Sequence, residues 1–379
     1  MIYFDHAATT PVDPLVQQTM ERVLRECFGN PSSVHLEGRK SRVVIEDARR
    51  LIASLIHAEP SEICFTSCGT EAINTALYGA VLDLDIKTII TSPVEHHAVT
   101  HTLQDIRARS WARILNTGLL PNGHVDQEVL EALLKENPHA LVCLMHANNE
   151  IGHLLPLEET ASLCEHNGAI MLVDTVQSLG KYPISFKDLP VQFASCSAHK
   201  FHGPKGIGFL YIKNGIRIRP LIHGGGQERT MRSGTENIIG IAGMAEALRL
   251  AYEDLEKKRD YISGLRNDML AGLRERFSGI ICNSDTGENG LYNLLHITFP
   301  AERWSPMLLQ QLDMKGICVS GGSACNSGTV SRSAVLDAIG NKQEGPSIRF
   351  SFSRFNTPAE VRECLSVLET LQQKSNAAV

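Results

Sequence analysis

From Pro60 onward, short apolar runs alternate with amphipathic stretches, and this rhythm constrains the fold more than any other feature of the chain. "EICFTS" leads into "EAINTALYGAVL", "KTIITS" into "HHAVTHTLQDIRAR" and "ALVCLMH" into "LEETASLCEHNG", followed by "AIMLVDT" and "QFASCSA". Continuous apolar runs separated by helical patterns predict an α/β fold, a mostly parallel sheet with helices on both faces. Strands are expected near 62–66, 87–91, 140–145, 169–173 and 192–196. Each ends just before polar residues, and in open α/β sheets the ligand crevice lies outside the carboxyl ends of the strands. The chemistry is therefore expected at these ends.

Further along, a charged helical pattern with few breakers runs from about Glu236 to Phe277 and reads as one long helix carrying the chain out of the large unit. Strands near "NLLHITF" and "SIRFSFS", with helices near 304–314, 331–339 and 358–373, predict a compact α+β unit after it. A chain of 379 residues exceeds what one core usually serves. The expected division is a large domain over 13–255 and a small one made of 1–12 and 256–379.

Charge excludes some functions. Lys and Arg total 36 against 42 Asp and Glu, a formal charge of -6, with no long run of one sign, so a basic nucleic-acid-binding face is not expected. The start "MIYFDHAATT" lacks a basic segment followed by an apolar core, and no stretch stays apolar long enough to cross a membrane. A cytoplasmic location is expected. Ten cysteines are scattered without a C-x-x-C pair, which argues against a disulfide framework or zinc knuckle and predicts reduced core residues for nine of them. The exception is Cys325, in "VSGGSACNSGTVSRS" from Val319 to Ser333. Glycine and serine neighbours predict a mobile, exposed backbone there, which suits a thiol that must move.

Four motifs mark the strand ends. In "FTSCGTEAINTAL" a strand runs into Gly69 and Thr70 at the start of a helix, where free amides and the Thr70 hydroxyl suit a phosphate; a plain cap by Thr70 is the alternative. In "MLVDTVQSLGK" an apolar strand ends in Asp174, an acid that needs a cationic or hydrogen-bonding partner such as a protonated pyridine nitrogen, with Gln177 three residues on. A turn cap is the other reading. "CSAHKFHGPKGIGFLY" sets Ser197, His199 and Lys200 at a strand end, where a partly desolvated lysine can form a Schiff base; Lys205 reads as a solvated turn residue. "SPVEHHAVTH" offers His96 over a planar ligand, while His97 and His101 have the spacing of a zinc pair but lack the glutamate between them.

Taken in this order, and joined by "SGGSACNSG", the motifs resemble the pyridoxal-phosphate enzymes of aminotransferase class V. More narrowly, they resemble cysteine desulfurases with a long mobile cysteine loop. The likeness runs from "YFDHAATTPVDP" and "GNPSSVH" to "SIRFSFSRFNT". It implies the PLP-dependent transferase fold of type I and a homodimer. Lys200 would hold pyridoxal 5'-phosphate as a Schiff base, Asp174 would pair with the pyridine nitrogen, His96 would stack on the ring and assist proton transfer, and Gln177 would meet the ring oxygen. Gly69, Thr70, Ser197 and His199 would hold the phosphate, with Thr235 of "MRSGTEN" reaching in from a second subunit. Asn149 of "HANNEIG", also a cofactor contact, and Arg349 of "PSIRFS" would take the substrate carboxylate. Cys325 would take sulfur from L-cysteine as a persulfide and pass it to an acceptor protein, an iron–sulfur scaffold or a thiolation carrier. No resident metal is implied, only a transient iron–sulfur contact at Cys325. The chain departs from its relatives at Ser331, Arg332 and Ser333, where Pro-Ser is common, and a selenocysteine lyase is the neighbouring alternative.

Overall fold

The structure, a computed structural model, describes residues 1–302, 304–305, 307–321 and 333–377. The chain opens with a short strand, β1 (Ile2–Tyr3), and helices α1 (Pro14–Glu26) and α2 (Leu36–Leu55). Asp13 caps α1 by accepting from the Leu15 N–H at 2.8 Å, and Pro14 stands at a first-turn position whose N–H has no helical partner in any case. There follow β2 (Ile63–Thr66), α3 (Gly69–Asp83), β3 (Thr88–Thr91), α4 (His97–Ala108), β4 (Arg113–Asn116), α5 (Gln127–Glu136), β5 (Leu141–Met145), α6 (Leu157–His166), β6 (Ile170–Asp174), β7 (Phe193–Ser197) and β8 (Gly208–Ile212).

Among the described residues, β2 to β8 form one seven-stranded sheet in the order β2-β8-β7-β6-β5-β3-β4. Strands β3 to β7 are mutually parallel, and β8 is antiparallel to both of its neighbours, so β2 points the same way as β7. Six strands therefore deliver their carboxyl ends to one edge. The expected α/β sheet is present, and each of the five expected strands lies within one residue of its expected bounds. Two strands, β4 and β8, were not expected. "RILN" is too short and too exposed to give an apolar run, and "GFLYI" sits inside a glycine- and lysine-rich segment whose turn residues mask it.

Alternate residues of the central strands feed two different cores, which is why the runs read as continuously apolar. Ile90, Val142, Leu144, Met171, Val173 and Ala194 face the cluster shared with α2, while Ile89, Leu141, Cys143, Leu172 and Phe193 face the one shared with α3 and α4.

The single helix expected over Glu236–Phe277 is in fact two, α7 (Ile238–Tyr252) and α8 (Leu255–Arg276). Glu253 is extended and Asp254 is left-handed (φ 48°), which ends the first helix. No Gly or Pro marks the break; the signal is compositional. Apolar "IIGIAGMAEALRLAY" is buried against α1 and α2, whereas charged "LEKKRDYISGLRNDML" packs on α11 (Pro358–Ala377), so the two segments belong to different surfaces. Between them and α11 lie β9 (Ile281–Cys282), β10 (Leu294–Thr298), α9 (Leu308–Met314), β11 (Ile317–Cys318), α10 (Ala334–Ala338) and β12 (Ser347–Ser351). Strands β12-β10-β9 form an antiparallel sheet and β1 pairs with β11 in parallel. Phe4, Met269, Leu295, Phe350 and Leu368 join a third apolar cluster here.

One buried ion pair holds a strained loop against the sheet. Glu228, Arg229 and Thr230 are successive left-handed residues (φ 44°, 56° and 70°), each costing about 1 kcal/mol or more. The Glu228 carboxylate accepts two hydrogen bonds from Arg49, at 2.8 and 2.9 Å, and one from the Phe65 N–H at 2.8 Å. Arg49 also donates to the Ile63 carbonyl at 2.7 Å and lies over the Phe65 ring. Replacing Glu228 by Ala leaves the buried guanidinium with only the Ile63 carbonyl and the more exposed Glu46 carboxylate at 3.4 Å, and frees the loop. The expected loss is about 3–5 kcal/mol in denaturant unfolding, against a clearly smaller loss for Glu228→Gln.

Candidate active site

The edge to which the strands deliver their carboxyl ends carries a cavity of about 240 Å³. Strand β2 ends at Thr66, and two residues later Cys68 opens α3 without any side-chain cap. Thr70 is thus not the cap that the plainer sequence reading allowed, and the first amides of a fifteen-residue helix remain without a side-chain partner. The close approach depends on glycine at two positions. A Cβ on Gly69 would come within 2.6 Å of Val176 Cγ2, and one on Gly208 would lie 2.2 Å from the Cys196 carbonyl oxygen. Gly69, Thr70, Ser197 and His199 all line the cavity on this side.

Asp174 is the last residue of β6, and the turn after it brings Gln177 to the same wall. The Asp174 carboxylate is 6% exposed, and Oδ1 accepts from Ser195 Oγ at 2.8 Å and from the Val176 N–H at 3.0 Å. Ser195 precedes Ser197 by one strand period, so both hydroxyl-bearing residues share a face of β7. Asp174 is the one carboxylate in the cavity wall among the described residues. Glu95 lies nearby but is fully buried, and burial pushes its carboxyl up to about 8, so it is largely neutral at pH 7.

Lys200 ends the short turn Ala198–Lys200 that continues β7. Its Nζ donates to the carbonyl oxygens of Ala7 at 2.8 Å and Ala8 at 2.7 Å. His96 is the N-cap of α4, and its Nδ1 accepts from the Ala98 N–H at 3.1 Å. In the neutral ring that leaves the proton on Nε2. Burial chiefly lowers the His96 pKa; Asp174 opposes the shift and Lys200 adds to it. His199 is held by Thr9 Oγ1 at 3.1 Å and is pushed down to about 4, mainly by burial and then by Lys200.

Asn149 and Arg349 complete the wall. Arg349, in β12, is 1% exposed and donates to the Asn149 carbonyl at 2.7 Å and to Asp5 Oδ1 at 3.0 Å. Its main chain pairs with Ser320, N–H to O at 2.6 Å. Past the gap in the described residues, Ser333 caps α10 and its hydroxyl donates to Glu150, the neighbour of Asn149. Cys325, with Ser331 and Arg332, lies outside the described residues.

Ten of the candidate residues therefore line one cavity: Gly69, Thr70, His96, Asn149, Asp174, Gln177, Ser197, His199, Lys200 and Arg349. Thr235 does not line it and is exposed. His97 and His101 stack at 4.9 Å outside the cavity wall. Among the nine described cysteines, all free, only Cys64, Cys143, Cys164, Cys196 and Cys364 are buried. Cys27, Cys68, Cys282 and Cys318 are half-buried, which corrects the expectation of nine core thiols; Cys68 lies in the cavity wall because the close approach of α3 to β7 sets it there.

The sequence reading missed several supports of the site. Ala7 and Ala8 act through main-chain oxygens, which leave no side-chain signature. Asp5 stood within a quoted motif, and an acid directly after an apolar strand was the available signal. Ser195 was legible by its two-residue spacing from Ser197.

Residues 2–364 match the family model for aminotransferase class-V. A protein named cysteine desulfurase IscS from Dictyoglomus turgidum is 40% identical over 377 residues, covering 98% of this chain and 95% of its own length. Among solved structures, a NifS-like protein superposes with a TM-score of 0.91 at 38% identity, covering 98% of this chain and 99% of that one. A structure described as SspA in complex with cysteine gives 0.81 at 29% identity over 94% of this chain and all of that one. With strand ends, lysine, aspartate and helix N-terminus gathered on one cavity and a family match across nearly its whole length, the chain belongs to the aminotransferase class-V family.

Proposed function

We propose that the chain is a pyridoxal-phosphate-dependent cysteine desulfurase that moves sulfur from L-cysteine to Cys325 and releases L-alanine. The observation that carries this reading is the convergence of Lys200, Asp174, His96, Arg349 and the uncapped start of α3 on one cavity. The donor set fits the cofactor. Free helix amides with Ser197, His199 and the Thr70 hydroxyl suit a phosphate, a buried carboxylate suits a protonated ring nitrogen, and a neutral imidazole offers a flat face. When bound, pyridoxal phosphate supplies an aldehyde for an amine and a ring that withdraws electrons from the carbon next to it.

The chain's own residues divide the remaining work. Lys200 would hold the cofactor, and its Nζ would accept the substrate α-proton. Asp174 keeps the ring nitrogen protonated, and Ser195 fixes that carboxylate. Arg349 is braced by Asp5 and Asn149, so its fork faces a substrate carboxylate without reordering. The Cys325 thiolate attacks the substrate sulfur: an S–S bond forms, the Cβ–S bond breaks with its electron pair on carbon, and protonation there gives the methyl group of alanine. Both ends of the segment carrying Cys325 are tied to residues of the cavity wall or their neighbours, through Ser320 to Arg349 and through Ser333 to Glu150, which supports this assignment.

The reading extends to a homodimer in which Thr235 serves the partner's phosphate site, to domains 13–255 and 1–12 with 256–379, to a cytoplasmic location, and to a protein acceptor of sulfur such as an iron–sulfur scaffold or a thiolation carrier. Among the described residues no helix is long and apolar enough to cross a membrane.

Cys325→Ala is expected to keep the cofactor's visible absorbance and to react with L-cysteine, but to form no persulfide. Sulfide release under reductant should fall more than about a hundredfold, as when a positioned nucleophile is removed; undiminished release overturns the role. Arg349→Ala should raise KM for L-cysteine about 10- to 100-fold, the worth of a charge-assisted pair of roughly 1.5–3 kcal/mol, with Arg349→Lys recovering little of it in steady-state alanine assays.

A further inference from the structure

Lys181 has no part in the chemistry above, yet its side chain is only 7% exposed in the turn after β6. An ammonium withdrawn from water without a carboxylate partner costs several kcal/mol. The hydrogen bonds from Lys181 Nζ both go to one residue: the Gln177 main-chain oxygen at 2.8 Å and Gln177 Oε1 at 3.2 Å. Gln177 in turn donates from Nε2 to the Ala7 carbonyl at 2.8 Å, and that same oxygen accepts from Lys200 Nζ. An unbroken series of polar contacts thus joins the interior lysine to the one in the cavity.

Two consequences follow from elementary chemistry. A lysine ammonium has only donors, so the Gln177 carbonyl must face Lys181, and its NH₂ must face Ala7 and the cavity. Without that partner the amide orientation rests on the Ala7 carbonyl alone, an oxygen already shared with Lys200 Nζ. The second consequence is charge. Lys181 feels Lys200, His6, His199 and His202, and Lys258 and Arg354 line the same small cavity of about 50 Å³. The histidines are held neutral by burial. Burial first, and then Lys200, push Lys181 down to about 7. Repulsion between two ammonium groups is mutual, so a charge on Lys181 works against one on the Lys200 nitrogen.

We propose that Lys181 is a positioning residue for the reaction: it turns the Gln177 NH₂ toward the cofactor site and sets a second positive charge behind Lys200. The proposal rests on Lys200 as the cofactor lysine. Its net effect is to favour the unprotonated Lys200 nitrogen, with Gln177 aligned to donate.

The test uses the cofactor-loaded protein and two readouts other than turnover. The first is the pH midpoint of the cofactor's visible absorbance. Lys181→Met should raise it by about one pH unit, and Lys181→Arg, which keeps the donors and stays charged at every pH, should leave it at or below the wild-type value. The second is the cofactor dissociation constant by equilibrium dialysis. Lys181→Met and Gln177→Ala should each weaken binding about tenfold, and K181M/Q177A should be no weaker than Q177A alone. Lys181→Gln, which keeps a donor without the charge, should raise the midpoint yet retain affinity, and it serves where the Met variant fails to fold. Borohydride reduction and peptide mapping in the same samples locate the cofactor. Attachment away from Lys200 overturns the reading of that lysine and this proposal with it. Attachment at Lys200 with an unmoved midpoint, or with additive losses of affinity, overturns the role of Lys181 alone.

Discussion

The main chain of residues 5–8 is the join on which the site depends. Ala7 and Ala8 present carbonyl oxygens to Lys200, and Asp5 presents its carboxylate to Arg349. The Ala7 N–H donates to Ser351 Oγ at 2.8 Å, and the Ser351 N–H donates to the Phe4 carbonyl, so the same few residues are stitched to β12. One short turn therefore contacts the lysine at the end of β7 and the arginine of the antiparallel sheet. Moving either against the other would break charge-assisted hydrogen bonds in a poorly solvated place, where they are strongest.

The sheet makes that join useful. Its central strands are buried on both faces, so their polar neighbours can emerge only at the ends. With β2 aligned with β7 across the antiparallel β8, the uncapped start of α3 comes to the edge that also carries Asp174, Ser197 and Lys200. Register secures the detail: Thr66 and Ser197 both stand opposite Gly208, where a side chain would strike the Cys196 carbonyl. A single glycine thus sets how near the helix amides approach the serine.

Much of this was legible in the sequence because burial writes itself into runs of residues. Seven strands, β10 and β12 among them, and ten cavity residues followed from apolar runs, strand-end polar residues and the family likeness. What escaped did so for physical reasons. Strand β8 was hidden by the turn residues beside it. The break at Asp254 carries no breaker residue, since the helix ends where its surroundings change rather than where its backbone must. Ala7 and Ala8 contribute oxygens that every residue has, and Lys181 looks like any lysine after a glycine until its burial is seen. Cysteine is the opposite case: a thiol reads as a core residue by default, and Cys68 departs from that only because the helix start is drawn against β7.

The electrostatics of the wall then explain why the site suits its proposed ligands. Burial holds His6, His146, His199 and His202 neutral, at about 3 to 4, and lowers His96 as well, while it lifts Glu95 to about 8. Groups that would otherwise blur the charge pattern are thereby silenced near pH 7. Among the described residues the cavity wall then holds one carboxylate, Asp174, with Lys200 and with Arg349, whose guanidinium is paired with Asp5 behind it, and helix amides add partial positive charge. Arg349 already meets the Asp5 carboxylate at 3.0 Å, so what the wall offers an incoming anion is hydrogen-bond donors, the helix amides and the remaining guanidinium N–H groups, in a region of low dielectric. A phosphate-bearing cofactor and an amino-acid carboxylate would meet those donors from two directions, the phosphate at the helix start and the carboxylate at Arg349.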